Sequence, residues 1–132
     1  MTRIERGMLD TSTVILLENL DPQRLPCKPM ISTVTLAELA VGPLVAESES
    51  ERLLRQSHLL LAQADFDPIP FDDQAARTFG TVAANLRKSG RKTTARSLHA
   101  MIAATAISRG LPLFTANPHD FEGIDSLEVR QV

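Results

Sequence analysis

Short apolar runs and longer stretches of helical period alternate along this chain, and the alternation predicts its elements. Gly7-Met8-Leu9-Asp10 reads as a first strand ending in a carboxylate, with Thr11 and Ser12 placed to cap a helix over Thr13 to Asn19. Met1 to Arg6 is polar and reads as loose chain. After a proline-punctuated loop from Asp21 to Pro29, Met30-Ile31-Ser32 forms a second strand candidate. Thr33 or Thr35 then opens a helix through Leu36, Ala37, Glu38, Leu39 and Ala40, which stops near Gly42-Pro43. Leu53, Leu54, Leu60 and Leu61 recur at helical spacing between Glu47 and Ala64. Asp67-Pro68-Ile69-Pro70-Phe71 suggests a third short strand, and Asp72-Asp73 starts a helix that runs to about Lys88. The tail from Leu127 to Val132 alternates as a half-buried edge strand.

The most informative stretch is residues 96 to 124. Leu98, Met101, Ile102, Thr105 and Ile107 supply bulk at helical spacing, while Ala100, Ala103, Ala104 and Ala106 permit close approach to a sheet. Gly110 reads as the residue just past the helix end, and Pro112 follows where a helix could not continue. Leu113-Phe114-Thr115 resembles a buried strand, and Asn117-Pro118-His119-Asp120 a turn beyond its carboxyl end. Strands alternating with helices imply a parallel sheet covered on both faces. Ligands in such sheets gather at the carboxyl ends of the strands, where Asp10 and the 117–120 turn fall.

Composition narrows the class. The chain has 132 residues, of which 43% are apolar, enough for one domain spanning residues 1–132 with a core of its own. Aromatics make up only 4%, which disfavours base stacking on aromatic platforms. The single Cys27 cannot form an internal disulfide and suits a reducing cytoplasm. No signal peptide and no membrane-length apolar run is visible. The net charge of −2 by itself does not point to nucleic acid; the distribution of charge says more. Between Gln74 and His119 there is no Asp or Glu, while Arg77, Arg87, Lys88, Arg91, Lys92, Arg96 and Arg109 all lie there. That segment reads either as a solvated loop or as a phosphate-contacting edge.

Taken singly, the candidate residues are ambiguous. Asp10 could be a helix cap, Glu38 a surface helical residue, and Asp120 ordinary turn chemistry. His58, among leucines on an amphipathic helix, reads as a packing or partner-face residue. His119 reads as a turn residue that could approach a phosphate. A haloacid-dehalogenase-like phosphatase would need a second acid two residues after Asp10, where Ser12 stands. A phosphoacceptor receiver would need an acidic pair near the N-terminus and a late lysine, which is missing. No glycine-rich phosphate loop occurs.

The joint pattern is more specific. M-L-D-T-S-T-V-I at 8–15, I-S-T-V-T-L-A-E-L-A-V-G at 31–42, P-F-D-D-Q-A-A at 70–76, L-R-K-S-G-R-K at 86–92, H-A-M-I-A-A-T-A at 99–106 and G-L-P-L-F-T-A-N-P-H-D-F-E-G-I at 110–124 span nearly the whole chain. Together they closely resemble PIN-domain ribonucleases, and within them the VapC-type toxins of bacterial toxin–antitoxin pairs. The resemblance implies an α/β fold, a three-layer α/β/α sandwich around a short, mostly parallel central sheet. It implies a divalent-metal-dependent endoribonuclease, a homodimer, and a cognate antitoxin that blocks the active site.

Carried over position by position, the family's first acid falls on Asp10, with Thr11 and Ser12 as supporting polar groups, and its second on Glu38. The third acid position is His99, a departure. The fourth is Asn117, two residues after the strand-ending Thr115, with Asp120 as the nearby acid of the Asn form. The resemblance thus implies a metal site of Asp10, Glu38 and His99, taking Mg²⁺ or Mn²⁺, with Asn117 and Asp120 beside it. Close carboxylates want a cation, since two at about 4 Å repel by roughly 4 kcal/mol at an effective dielectric near 20. An imidazole among them removes one negative charge and one hard ligand, which disfavours Mg²⁺ more than Mn²⁺. His99 has three readings: a softer ligand, the mark of a weakened or inactive nuclease that still binds antitoxin or RNA, or a change introduced so that a toxic protein can be expressed. Arg87, Lys88, Arg91, Lys92 and Arg96 are the expected contacts to the RNA backbone.

Overall fold

The computed structural model describes residues 3–91 and 96–132; Lys92 and the threonines that follow it lie outside this range. Four strands form one parallel sheet in the order β2-β1-β3-β4: β1 Arg6–Leu9, β2 Lys28–Met30, β3 Leu113–Thr115 and β4 Val129–Gln131. The helices are α1 Thr11–Ile15, α2 Thr33–Val41, α3 Glu49–Asp65, α4 Asp73–Lys88 and α5 Ser97–Ser108. Alternation along the strands sends successive side chains to opposite faces, and two cores result. Met8 and Leu113 join Val82, Leu86, Ala100, Ile102 and Phe121 under α4 and α5. Leu9 and Phe114 join Val14, Ile31, Leu39 and Ala62 under α1, α2 and α3. This is the three-layer α/β/α sandwich that the sequence pattern implies.

α5 is buried nearly all round, with Ala100, Ile102, Ala103, Ala104, Thr105 and Ala106 inside, while Leu98 is exposed. Alanines keep it thin enough for α4 and β3 to close on it. Its end is a Schellman turn: Gly110 takes φ 65° and donates to Ile107 O (3.0 Å), and Leu111 N donates to Ala106 O (2.9 Å). Because the chain then enters parallel β3, α5 runs against the strand direction and its first turn lies at the sheet's carboxyl end.

Several expectations are corrected. The third strand is a single parallel bridge, Ser32 to Ile69, held by Ile69 N to Ile31 O and Thr33 N to Ile69 O at 2.9 Å each. Pro68 and Pro70 lack N–H donors, so no ladder can extend from it. The second strand lies earlier, at Lys28–Met30, because Ser32 is the N-cap of α2 and Ile31 a buried link. The first helix is capped by Asp10 itself; it stops at Ile15, and a 3₁₀ turn covers Leu17–Asn19. The chain before β1 is tied down as well. Arg3 donates to Pro22 O and Leu25 O, and Ile4 packs on the core beneath α1–α3.

Candidate active site

Asp10 leaves the carboxyl end of β1 and is 3% exposed. A buried carboxylate demands hydrogen-bond donors, and this one has four. Ser12 Oγ lies 3.0 Å from Oδ2, Thr13 N and Thr13 Oγ1 lie 3.1 and 2.5 Å from Oδ1, and Thr115 Oγ1 lies 2.7 Å from Oδ2. Both threonine hydroxyls pass the bond on. Thr13 Oγ1 accepts from Ala116 N (3.1 Å) and Thr115 Oγ1 from Asn117 N (2.9 Å). The main chain leaving β3 is thereby fastened to the acid leaving β1.

Glu38 sits on the second turn of α2, half-buried. Its Oε1 lies 2.6 Å from Thr11 Oγ1, which is 3.1 Å from Thr35 Oγ1. A hydroxyl has one proton; the short contact to the carboxylate takes it, so Thr35 donates to Thr11. Asp10 and Glu38 are thus coupled through consecutive residues of one capped turn.

Asn117 is exposed beyond β3, and the 3₁₀ turn Pro118–Phe121 carries Asp120 back toward α5. There His99 Nε2 faces Asp120 Oδ2 at 3.8 Å, and the imidazole leans on Phe121 with centroids 5.3 Å apart. Among the described residues His99 Nδ1 is buried without a hydrogen-bond partner. The turn is braced from the α4–α5 connection. Arg91 donates to His119 O (3.2 Å) and Glu122 Oε2 (2.6 Å), and Arg96 to Asp120 O (3.0 Å). Gly123, at φ 89°, lets Ser89 pack close: a Cβ there would stand 2.6 Å from Ser89 Oγ. Arg91 and Arg96 therefore carry structural duties that charge counting did not suggest. Arg87 and Lys88 are exposed and form no ion pair among the described residues. His119 is exposed, with Nδ1 3.1 Å from Glu122 Oε2.

Two constellations result: the Asp10–Glu38 pair with its hydroxyls, and the His99–Asp120 pair. Among the described residues no three His, Cys, Asp or Glu side chains gather closely enough to cage a metal. The donor set still fits a hard divalent ion, because Mg²⁺ keeps several waters and is held by one or two carboxylates. Glu38 Oε2, with no hydrogen-bond partner among the described residues, leaves an oxygen open to such an ion. Two residues that hold the site together, Thr13 and Thr35, escaped the sequence reading. Their signal was two threonines inside apolar runs, each fully buried in the fold.

The PIN domain profile matches residues 8–127. The chain is 39% identical over 132 residues to Ribonuclease VapC5 of Mycobacterium tuberculosis, covering 96% of this chain and 95% of that one. It is 30% identical over 132 residues to Ribonuclease VapC1 of Rickettsia felis, covering 95% of each. Among solved structures it is similar to VapBC-5 of Mycobacterium tuberculosis, a member of the VapBC family of toxin–antitoxin systems. That match has a TM-score of 0.83 and 37% identity, and covers 96% of this chain and 98% of the other.

Proposed function

Since this chain belongs to the PIN domain family, alongside the VapC ribonucleases, we propose that it is the toxin of a toxin–antitoxin pair, an endoribonuclease that hydrolyses RNA phosphodiester bonds with a divalent metal. The observation that carries this is the buried Asp10 at the end of β1, held by four donors and coupled through Thr11 to Glu38.

Asp10 and Glu38 would hold Mg²⁺ or Mn²⁺. When bound, the ion orients a water, lowers its pKa and offsets charge developing on the scissile phosphate. Ser12, Thr13 and Thr115 keep the Asp10 carboxylate in one orientation, and Thr11 does the same for Glu38. Such rigid second contacts are commonly worth 10–100-fold in metal affinity or activity. Asn117 presents its amide to the phosphate from the end of β3. In this reading His99 stands at the third family position but works through Asp120 at the rim of the pair. Arg87 and Lys88 offer free charge to the RNA backbone; Lys92, another expected contact, lies outside the described residues. Arg91 and Arg96 keep their charge while bracing the turn, since a guanidinium has five N–H groups to share.

The antitoxin would block the site with a cation reaching Asp10 and Glu38, for which arginine's fork is suited. Exposed Leu53, Leu54, Leu60 and Leu61 on α3, beside a cavity of about 400 Å³ that includes Ile15 and His58, support a protein-covered face. The antitoxin and a second copy of the chain are the two occupants such a face would take. Among the described residues no helix is long and apolar enough to cross a membrane.

The test is incubation of purified protein with total RNA in Mg²⁺ or Mn²⁺, with and without chelator, beside Asp10→Asn and Glu38→Gln. Metal-dependent cleavage lost in both variants is the expected result. Equal cleavage by parent and Asp10→Asn refutes the assignment.

A further inference from the structure

The turn that carries Asp120 has little support of its own. Asn117 heads it, but the Asn117 side chain makes no capping hydrogen bond. Inside the turn Asp120 N donates to Asn117 O (3.0 Å), and Glu122 N reaches His119 O only at 3.4 Å. A 3₁₀ turn this short closes with poor hydrogen-bond geometry. Its shape is completed from outside. Arg91 donates from Nη1 to His119 O (3.2 Å) and from Nη2 to Glu122 Oε2 (2.6 Å). These two acceptors stand on either side of Asp120 and Phe121 in the chain. A planar guanidinium bonded at both points fixes the segment's rotation as well as its place. The Arg91 side chain is only 20% exposed, so the fork is largely withdrawn from water. Farther along, Asp125 N donates to Asn85 Oδ1 at 3.2 Å, which ties the end of the loop to α4 as well.

The segment held this way carries candidate site residues. Phe121 is buried against the His99 ring, and Asp120 faces His99 Nε2. Asn117 N donates to Thr115 Oγ1, whose own proton goes to Asp10. Asp10 keeps its local donors, Ser12 and Thr13, whatever the turn does. Releasing the Arg91 fork would therefore let Asn117 and Asp120 shift against a carboxylate that stays held.

We propose that Arg91 is a positioning residue for RNA cleavage, which acts through His119 O and Glu122 on the 117–120 turn. Glu122 is its working partner. The inference rests on the nuclease reading above, and it separates Arg91 from Arg87 and Lys88, which grip RNA by charge. The two roles differ in kinetics. Misplacing a group at the site by about 1 Å can cost roughly 10²-fold in rate. Losing a phosphate contact weakens binding instead.

The test is initial cleavage rates across a series of total-RNA concentrations in Mn²⁺, read as apparent kcat and KM. Parent, Arg91→Lys, Glu122→Gln and the double variant are compared below their melting temperatures. Lysine keeps the charge but not the fork, and glutamine keeps the shape but not the charge. Each single variant should lower kcat roughly tenfold, with KM within about twofold of the parent's. The double should be no worse than either single, because the two side chains form one clamp. Arg55→Lys is the control. Arg55 makes a similar fork, to Gly42 O (3.0 Å) and Glu51 Oε1 (2.5 Å), and its loss should leave kcat at the parent's value. An Arg91→Lys protein with parental kcat and raised KM overturns the positioning role and leaves the nuclease standing. A kcat loss that Arg55→Lys shares, or that adds across the double variant, does the same. A parent that cuts no RNA in metal overturns both readings.

Discussion

Thr115→Val tests whether β3 truly holds the buried carboxylate. The hydroxyl is fully buried, donates to Asp10 Oδ2 at 2.7 Å and accepts from Asn117 N. Valine keeps the shape and removes the bond. A hydrogen bond to a charged group contributes about 1.5–3 kcal/mol. The Asn117 N–H, on an exposed residue, can turn to water and adds little. The expected loss is about 2–3 kcal/mol, inside the 5–15 kcal/mol that a domain commonly has, so the variant stays folded. For a chain of this size each kcal/mol moves Tm by roughly 3–5 °C, which makes the expected fall roughly 6–15 °C. Guanidinium unfolding followed by circular dichroism should show a lower midpoint at unchanged slope. Combining Thr115→Val with Asp10→Ala closes a double-mutant cycle, and the two should couple by about 1–3 kcal/mol. Additive losses, with coupling below about 0.5 kcal/mol, would refute the bond as the link between β1 and β3.

His99→Asp places a second carboxylate opposite Asp120, where the imidazole now stands 3.8 Å away. In chelator this variant should melt lower than the parent, and Mg²⁺ should restore more stability to it than to the parent. Its cleavage in Mg²⁺ should rise as well, measured side by side across Mg²⁺ and Mn²⁺ concentrations; no gain in either readout removes residue 99 from the site. At the α4 start, the Ala75 N–H chiefly, with Arg109 assisting, holds the Asp72 carboxyl below its ordinary value of 3.8. A depressed folded value means that the stabilisation is complete above 3.8 and is lost as pH falls through the folded value. The melting difference between parent and Asp72→Ala should therefore be constant near neutrality and shrink only below that range; a difference that shrinks between pH 8 and 6 contradicts it.

Strand-end chemistry was legible because it depends on local order. An apolar run that stops at Asp10, or at Thr115, announces a carboxyl end whatever packs around it. The α4 and α5 boundaries were legible for a similar reason, through Asp72-Asp73, Gly110 and Pro112. What failed was competition among equals. Asp10, Thr11 and Ser12 are all good caps, and only the fold shows that Asp10 caps while Thr11 turns to Glu38. Ile69 looked like a strand because its apolar pattern was weighed above the donors that Pro68 and Pro70 lack. The bracing by Arg91 and Arg96 spans 24 to 31 residues and leaves no mark on local pattern.

The bond from Thr115 to Asp10 joins residues 105 apart in the chain. At synthesis rates of about 5–20 residues per second, roughly 5–20 s separate the two as the chain is made. Through that interval the local donors of Ser12 and Thr13 are present, but the Thr115 hydroxyl that completes the set around Asp10 is not. The site's supports are therefore complete only once β3 has docked beside β1. An antitoxin made at the same time would have until β3 docks to find its partner.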